Sequence, residues 1–325
     1  MNDTIKQEVL RYINVLMRKL LFIAVLAVSL TARAQYDVPF SHYWETEPYY
    51  NPAAVGKESK LNATGAYALD MAGFTHNPQT MYFAADMPFY FMKSYHGAGI
   101  SFMNDKIGLF THQRLQLQYA YKFKLFGGTL SPGIGIGLIT ESFDGSKLDL
   151  EDSSDPAFSS GKLDGNQFDI AAGLYYMRGA WYVGLSATHV TSPLVELGET
   201  NELQIDPTFY LTAGYNIKLR NPFLTIHPSA MLRYDGVGYR GDITARVQYT
   251  HEKRKMYAGV GWSPTNSVTA YIGGLFHGIN IGYSYEMYTS AINPGNGSHE
   301  LIIGYQTDIN LVKKGKNKHK SVRHL

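Results

Sequence analysis

The side chains that most often perform catalysis are scattered through this 325-residue chain, and their spacing matches no reactive motif. The H-E-x-x-H pattern of zinc hydrolases, the G-x-S-x-G pattern of serine hydrolases and the glycine-rich phosphate loop do not occur. Cysteine is absent, which excludes a thiol nucleophile, a disulfide and a cysteine-ligated zinc ion. We therefore predict no catalytic residue, no metal site and no cofactor, and a protein that is not an enzyme.

Three groups of residues have a structural interpretation beside a chemical one. The acidic segment 141–165 could bind Ca²⁺, but it lacks calcium-loop spacing, so a solvated loop is expected. His42, His189 and His299 fall at or near predicted strand ends, where we expect their rings to meet water. Glycine recurs at every second residue from 133 to 137, so we expect it to line the inner face of one strand and to leave space for a plug.

Two segments could bind a partner protein. The first is rich in aromatic side chains, and the hypothesis assigns docking to Tyr43, Trp44, Tyr49, Tyr50, Asn51 and Pro52. The second is a basic tail, in which the docking candidates are Lys313, Lys314, Lys316 and Lys318. The alternatives are packing at the rim of the fold for the first segment and contact with anionic headgroups for the second.

Composition separates this chain from most soluble proteins. Only 17% of its residues are charged, whereas 14% are aromatic and 32 are glycine. The formal net charge of +2 argues against a nucleic-acid partner, which would require a dominant basic surface. Apolar and polar residues alternate over roughly the 9–11 residues that a tilted membrane strand needs, as in Leu115, Leu117, Tyr119 and Tyr121 interleaved with Gln116, Gln118 and Lys122.

These alternating segments predict an all-β fold, a transmembrane antiparallel barrel of about 14 strands whose apolar face meets outer-membrane lipid. Long connections after odd-numbered strands and short ones after even-numbered strands agree with an outer-membrane barrel. A soluble sandwich or propeller is the alternative. The predicted strands span 60–69, 79–87, 96–104, 112–125, 128–140, 166–178, 181–190, 207–218, 223–234, 240–250, 255–262, 267–274, 277–288 and 299–311.

The N-terminal region predicts export. Residues 1–34 resemble a signal peptide, with basic residues before the apolar run Leu20–Leu30 and cleavage expected before Gln35. Met1 and Met17 are both possible start residues, and a single membrane anchor is the alternative reading. The predicted organisation is a signal peptide (1–34), a periplasmic or plug segment (35–59), the barrel (60–311) and a basic periplasmic tail (312–325).

Several stretches carry a family resemblance: Pro39–Tyr43 with Asn51–Gly56, Gly97–Gly108 leading into Gln118–Lys122, Phe168–Tyr176, Tyr182–Pro193, Pro228–Gly236, Asp242–Arg246 and Ser298–Tyr305. Together they resemble the PorP/SprF family of type IX secretion system outer-membrane proteins from Bacteroidetes. The resemblance implies an outer-membrane subunit that supports export of proteins or gliding adhesins. It also implies periplasmic and outer-membrane secretion components, and in some members a cognate secreted adhesin, as partners. A stand-alone barrel that transports a small solute is the alternative function.

Overall fold

One closed antiparallel barrel forms almost the whole of the computed structural model, which describes residues 37–147, 161–198, 201–290 and 296–309. Closure follows from the pairing of the first and last strands, in which Lys60 lies opposite Asp308 and Leu69 opposite His299. The strands are β1 (Lys60–Leu69), β2 (Gln79–Phe91), β3 (Ser94–Ile107), β4 (Phe110–Leu125), β5 (Gly128–Asp144), β6 (Lys162–Arg178), β7 (Trp181–Thr188), β8 (Leu194–Leu197), β9 (Asn201–Gln204), β10 (Thr208–Tyr215), β11 (Ile217–Lys218), β12 (Leu224–Tyr234), β13 (Tyr239–His251), β14 (Arg254–Ser263), β15 (Ser267–Phe276), β16 (Ile279–Tyr288) and β17 (Ser298–Asp308).

The predicted count of fourteen barrel strands is confirmed. Fifteen strands form the sheet, but β10 and β11 are two parts of one interrupted strand, because both pair with β12. The remaining two strands, β8 and β9, form a separate hairpin. Within the described residues no helix is long and apolar enough to cross a membrane.

The predicted inner and outer faces of β4 are also confirmed. Leu117 is 61% exposed on the outside, whereas its neighbour Gln118 is 4% exposed and points inward. The alternation continues through the whole sheet, so large apolar side chains cover the outer surface. The inner surface instead carries buried Arg, Asp, Glu, Gln, Ser and Thr side chains, which is the arrangement of a membrane barrel.

The two rims differ in the length of their connections. At the short-turn rim, where β1 begins and β17 ends, five of the six connections are two residues long, including Phe126-Gly127 and His277-Gly278. The turn predicted at Leu275-Phe276 is corrected to His277-Gly278, where both residues have the positive φ that such hairpins require. The opposite, long-loop rim carries the longer connections. One expected loop there, 105–111, shrinks to Gly108-Leu109 because β3 and β4 extend further than predicted.

A hairpin that the sequence did not predict folds inward at the long-loop rim. It consists of β8 and β9 and lies within the connection 189–207. Its backbone meets the inner face of β6, since a side chain at Gly165 would fall 2.3 Å from the carbonyl oxygen of Glu196. Val195 is fully buried there. Part of the acidic segment 141–165 lies outside the described residues.

Candidate functional site

The segment that precedes β1 fills the interior of the barrel. We call residues 37–56 the plug segment; it contains the short helix α1 (Glu47–Tyr50) and a 3₁₀ turn (Pro52–Ala54). Its first residue contacts β4, β10 and β12 near the long-loop rim. Its last residue donates an amide hydrogen bond to Asp86 on β2, nearer the short-turn rim. The segment therefore extends through the lumen.

The first described residue, Asp37, is the best-connected polar group of the plug segment. Its carboxylate accepts hydrogen bonds from Thr188 (3.0 Å) and Tyr210 (2.5 Å). Arg114 and His189 lie 3.5 and 3.2 Å from the same carboxylate. Its carbonyl oxygen accepts a bond of 2.7 Å from Arg233, so these contacts join the plug to four elements of the barrel.

Electrostatics in this cluster favour the charged forms. Burial alone would raise the pKa of the Asp37 carboxyl, but the His189 and Arg114 charges hold it well below its usual range. Burial likewise opposes the charged form of His189. The Asp37 carboxylate outweighs that effect, and with Asp169, 3.2 Å from the other ring nitrogen, it raises the pKa of His189 to about 9. The imidazolium therefore bridges the plug and β6.

A second polar anchor lies halfway down the plug segment. The backbone amides of Ser41 and His42 donate to the carboxylate of Glu300 on β17, at 2.7 and 2.9 Å. The His42 ring contacts the same carboxylate at 2.7 Å. The expectation that His42 and His189 meet water is wrong, because both are 0% exposed and bound to carboxylates. The residues near either histidine in the sequence do not show that a carboxylate from a distant part of the chain lies beside its ring.

Aromatic side chains pack the centre of the lumen. Phe40, Tyr49 and Tyr82 form edge-to-face and tilted contacts with ring centroids 5.1 to 5.6 Å apart. Arg114 lies 4.2 Å from the centre of the Tyr49 ring. The hydroxyl group of the neighbouring Tyr50 ring bonds the plug to itself, since it accepts a hydrogen bond of 2.7 Å from the amide of Phe40. Each aromatic ring at the middle of the plug segment therefore packs against another ring.

Glycines on the barrel wall make room for the lower part of the plug. A side chain on Gly133 would fall 2.4 Å from the Cα of Ala53, and one on Gly97 would fall 2.0 Å from the carbonyl oxygen of Val55. The prediction that the glycines from 133 onward leave space for a plug is confirmed at Gly133. Gly56 ends the segment with a φ of +62°, a conformation that favours glycine, and turns the chain toward β1.

The structure places the six aromatic-segment docking candidates inside the lumen. Tyr43, Tyr49 and Tyr50 are 1–2% exposed, and Trp44 is 8% exposed. Asn51 bonds to the carbonyl oxygen of Leu174 and, like Pro52, is buried. These six residues hold the plug to the barrel and present almost no surface to a partner. The four lysine candidates of the tail lie outside the described residues.

The sequence left residues 35–59 as either a periplasmic or a plug segment, and the described residues 37–56 lie in the lumen. Strand parity fixes only where the chain enters β1, and a segment of this length can cross the lumen, as it does to reach Thr188 and Arg233. The sequence also did not identify Asp37 or Arg114 as anchors. An arginine at an inward position of a membrane strand was the available signal, because a buried charge needs a partner.

Among the described residues no group of three or more His, Asp or Glu side chains could hold a metal ion. The lumen carboxylates instead face arginine, lysine, histidine or hydroxyl partners, as in the pairs Glu286–Arg240 and Glu47–Lys57. The interior of the barrel therefore binds one segment of the chain, the plug segment, through many polar contacts.

Comparison with solved structures identifies similar barrels. A CymD monoaromatic hydrocarbon channel superposes with a TM-score of 0.50 at 8% identity, over 86% of this chain and 96% of that chain. A FadL homologue from Pseudomonas aeruginosa gives a TM-score of 0.46 at 11% identity, over 80% and 93% of the two chains. At such identities the similarity shows the barrel fold alone.

No curated protein matches the chain. The family described as type IX secretion system membrane protein PorP/SprF matches residues 32–305, which include the plug segment and nearly all of the barrel. The chain therefore belongs to the PorP/SprF family of type IX secretion system membrane proteins.

Proposed function

We propose that this protein is a non-enzymatic outer-membrane subunit of the type IX secretion system, which supports export of proteins or gliding adhesins and anchors periplasmic machinery. The family match over residues 32–305 is the observation that carries the proposal. The family is one of secretion membrane proteins and not a known enzyme family. The outer face of large apolar side chains fits insertion into lipid.

The plug segment supports an anchoring role over a conducting one. Asp37, His42 and Tyr43 tie it to opposite sides of the wall, and aromatic rings fill the lumen between them. An export substrate would not pass through this barrel while the plug is bound. In this proposal the protein acts beside a separate conduit and offers its rims and tail to other components.

Transport of a small solute is the second candidate, because the CymD channel is similar in fold. The packed plug argues against free passage. A solute path would require the plug segment to leave its contacts.

The proposed orientation places the short-turn rim and the basic tail, residues 312–325, in the periplasm. Exported barrels commonly have short periplasmic turns and longer external loops. Short turns give a partner little surface, so the tail is the main candidate for docking. Its lysines would steer an acidic partner, an effect that salt weakens.

The test uses the full chain in cells that depend on it. Cells without the protein should lose secretion of proteins with a type IX signal, and the full chain should restore it. A variant without residues 312–325 should insert normally but recover less secretion machinery in a pull-down, most visibly at low ionic strength, where the charges of the tail are least screened. A variant with its lysines changed to glutamine provides a charge control. Normal secretion in cells that lack the protein would contradict the proposal.

A further inference from the structure

A polar cavity of about 400 Å³ remains in the short-turn half of the lumen. It lies between the plug segment, represented by Trp44 and Glu45, and the inner faces of several strands. Exposed Glu58 belongs to its lining, so the cavity reaches the rim. It lies away from the Asp37 cluster, and none of the residues of that cluster belongs to its lining.

One wall of this cavity carries buried polar atoms that no protein group satisfies. They are the indole nitrogen of Trp44, the Nε of Arg246 and the hydroxyl of Tyr257. Trp44 and Tyr257 are each 8% exposed. The guanidinium of Arg246 lies 3.8 Å from the centre of the Trp44 ring, which orients it against that wall. All three side chains can donate a hydrogen bond, and burying such donors without an acceptor is costly.

The charged side chains that line the cavity differ in whether they have partners. On one side the carboxylates already have partners: Glu47 pairs with Lys57, Glu58 with Lys60 at 3.0 Å, and Asp86 accepts the Gly56 amide. On the other side Arg246 and Lys255 line the cavity without an ion pair among the described residues. Glu45 and Asp86 are the lining carboxylates without an ion pair there, so the formal charges of the lining balance. The two cations lie on β13 and β14, and β14 also carries Tyr257.

The remaining lining suits a peptide. Amide side chains, which both donate and accept hydrogen bonds, come from several strands around the cavity: Asn62, Asn216, Gln248, Asn280 and Gln306. His227 adds a further group. Its Nδ1 lies 2.5 Å from the Asn216 carbonyl oxygen and donates to it, which leaves Nε2 as an acceptor.

From these observations we propose that the cavity binds a carboxylate carried on a peptide chain, which enters from the short-turn rim. Arg246, Trp44 and Tyr257 would donate to the carboxylate oxygens, and Lys255 would add charge. The carboxylate belongs to another polypeptide, because residues 309–325, which follow β17 at the same rim, contain no Asp or Glu. The proposal stands independently of the secretion role.

Trp44 supplies a direct readout. The other two tryptophans, Trp181 and Trp262, lie on the outer face and are 37% and 55% exposed. Changing both to phenylalanine leaves Trp44 as the one indole fluorophore. The probe is the capped tripeptide acetyl-Gly-Glu-Gly-amide, and acetyl-Gly-Gln-Gly-amide is its neutral match. Both are titrated against the mature protein in detergent, with and without residues 312–325.

We expect a saturable change in Trp44 fluorescence with the glutamate peptide and at least tenfold weaker binding of the glutamine peptide. Arg246→Gln should weaken binding at least tenfold, whereas Arg254→Gln, at an exposed arginine on the neighbouring strand, should not. A response of the full-length protein supports an external carboxylate. A response only after truncation overturns the proposal, because the full chain would then not take up a carboxylate from another polypeptide. No response in either form, or equal binding of both peptides, overturns the proposal, and this comparison needs no variant of Arg246.

Discussion

At the scale of single residues, Asp37 contributes most to the attachment of the plug segment. Asp37→Asn would keep the shape of the side chain but leave Arg114 and His189 with one fewer compensating charge. Disrupting a buried ion pair costs about 3 kcal/mol or more, so the plug should open about 100-fold more often. Because the chain has no cysteine, a Val55→Cys reporter at the far end of the plug measures opening by its rate of maleimide labelling.

Asp308→Asn is the matched control for this experiment. Asp308 is exposed at the short-turn rim, and its loss should leave the labelling rate unchanged. Equal labelling of the Asp37→Asn and Asp308→Asn proteins would show that the Asp37 cluster does not hold the plug.

The raised pKa of His189 predicts a pH dependence of plug opening. A histidine whose pKa is higher in the folded protein stabilises it fully below the ordinary value of about 6.5 and loses that effect as pH rises through about 9. Within this window the loss is up to about 1.4 kcal/mol per pH unit. The labelling rate of His189→Gln divided by that of the parent, both carrying Val55→Cys, should therefore be highest below pH 6.5 and approach one above pH 9.

The ratio removes the pH dependence of the thiol itself, because both proteins carry the same reporter. A ratio that stays constant from pH 6 to pH 10 would mean that His189 does not bridge Asp37 and Asp169 in its charged form.

At the scale of elements, the glycine-lined wall of β5 determines how closely the plug packs. Gly133→Ala would bring a methyl group to 2.4 Å from the Cα of Ala53. Overpacking of this kind costs about 1–3 kcal/mol, so labelling of a Val38→Cys reporter should rise about 10- to 100-fold while the barrel keeps its heat-modifiable migration. Gly65→Ala is the control, because its nearest atoms lie at an ordinary 3.5 Å. Equal labelling of the two variants would contradict close packing at Gly133.

Strand number, strand faces and most boundaries could be predicted from the sequence, because a membrane barrel repeats one local rule. Every second residue must be apolar, and each connection must hold turn-forming residues. That rule placed β1 at 60–69 and the turn at Phe126-Gly127 correctly.

The lumen contacts could not be predicted in the same way. They join residues far apart in the chain, such as Tyr43 with Ser229 and Thr244, and period-2 alternation says only that a side chain points inward. The hairpin β8–β9 was missed for a related reason: its strands are four residues long, so alternation within each is too short to recognise.

At the scale of the whole molecule, the protein is a barrel with a filled interior. A barrel of fourteen strands encloses more space than wall side chains alone can occupy, and the plug segment and the hairpin β8–β9 take up much of that space. Charged residues on the inner face of a filled lumen are removed from water, so they need partners. Polar side chains on the inner wall of the barrel therefore find partners in the plug segment.

The central claim is that the plug segment closes the barrel, and single-channel recording in planar bilayers tests it most directly. The comparison is between the intact protein and a variant in which residues 38–55 are replaced by a Gly-Ser repeat of equal length. We expect no large, steady conductance from the intact protein and a clear conductance from the variant, because the repeat cannot make the aromatic and ionic contacts of the plug. A large, steady conductance from the intact protein would contradict the account.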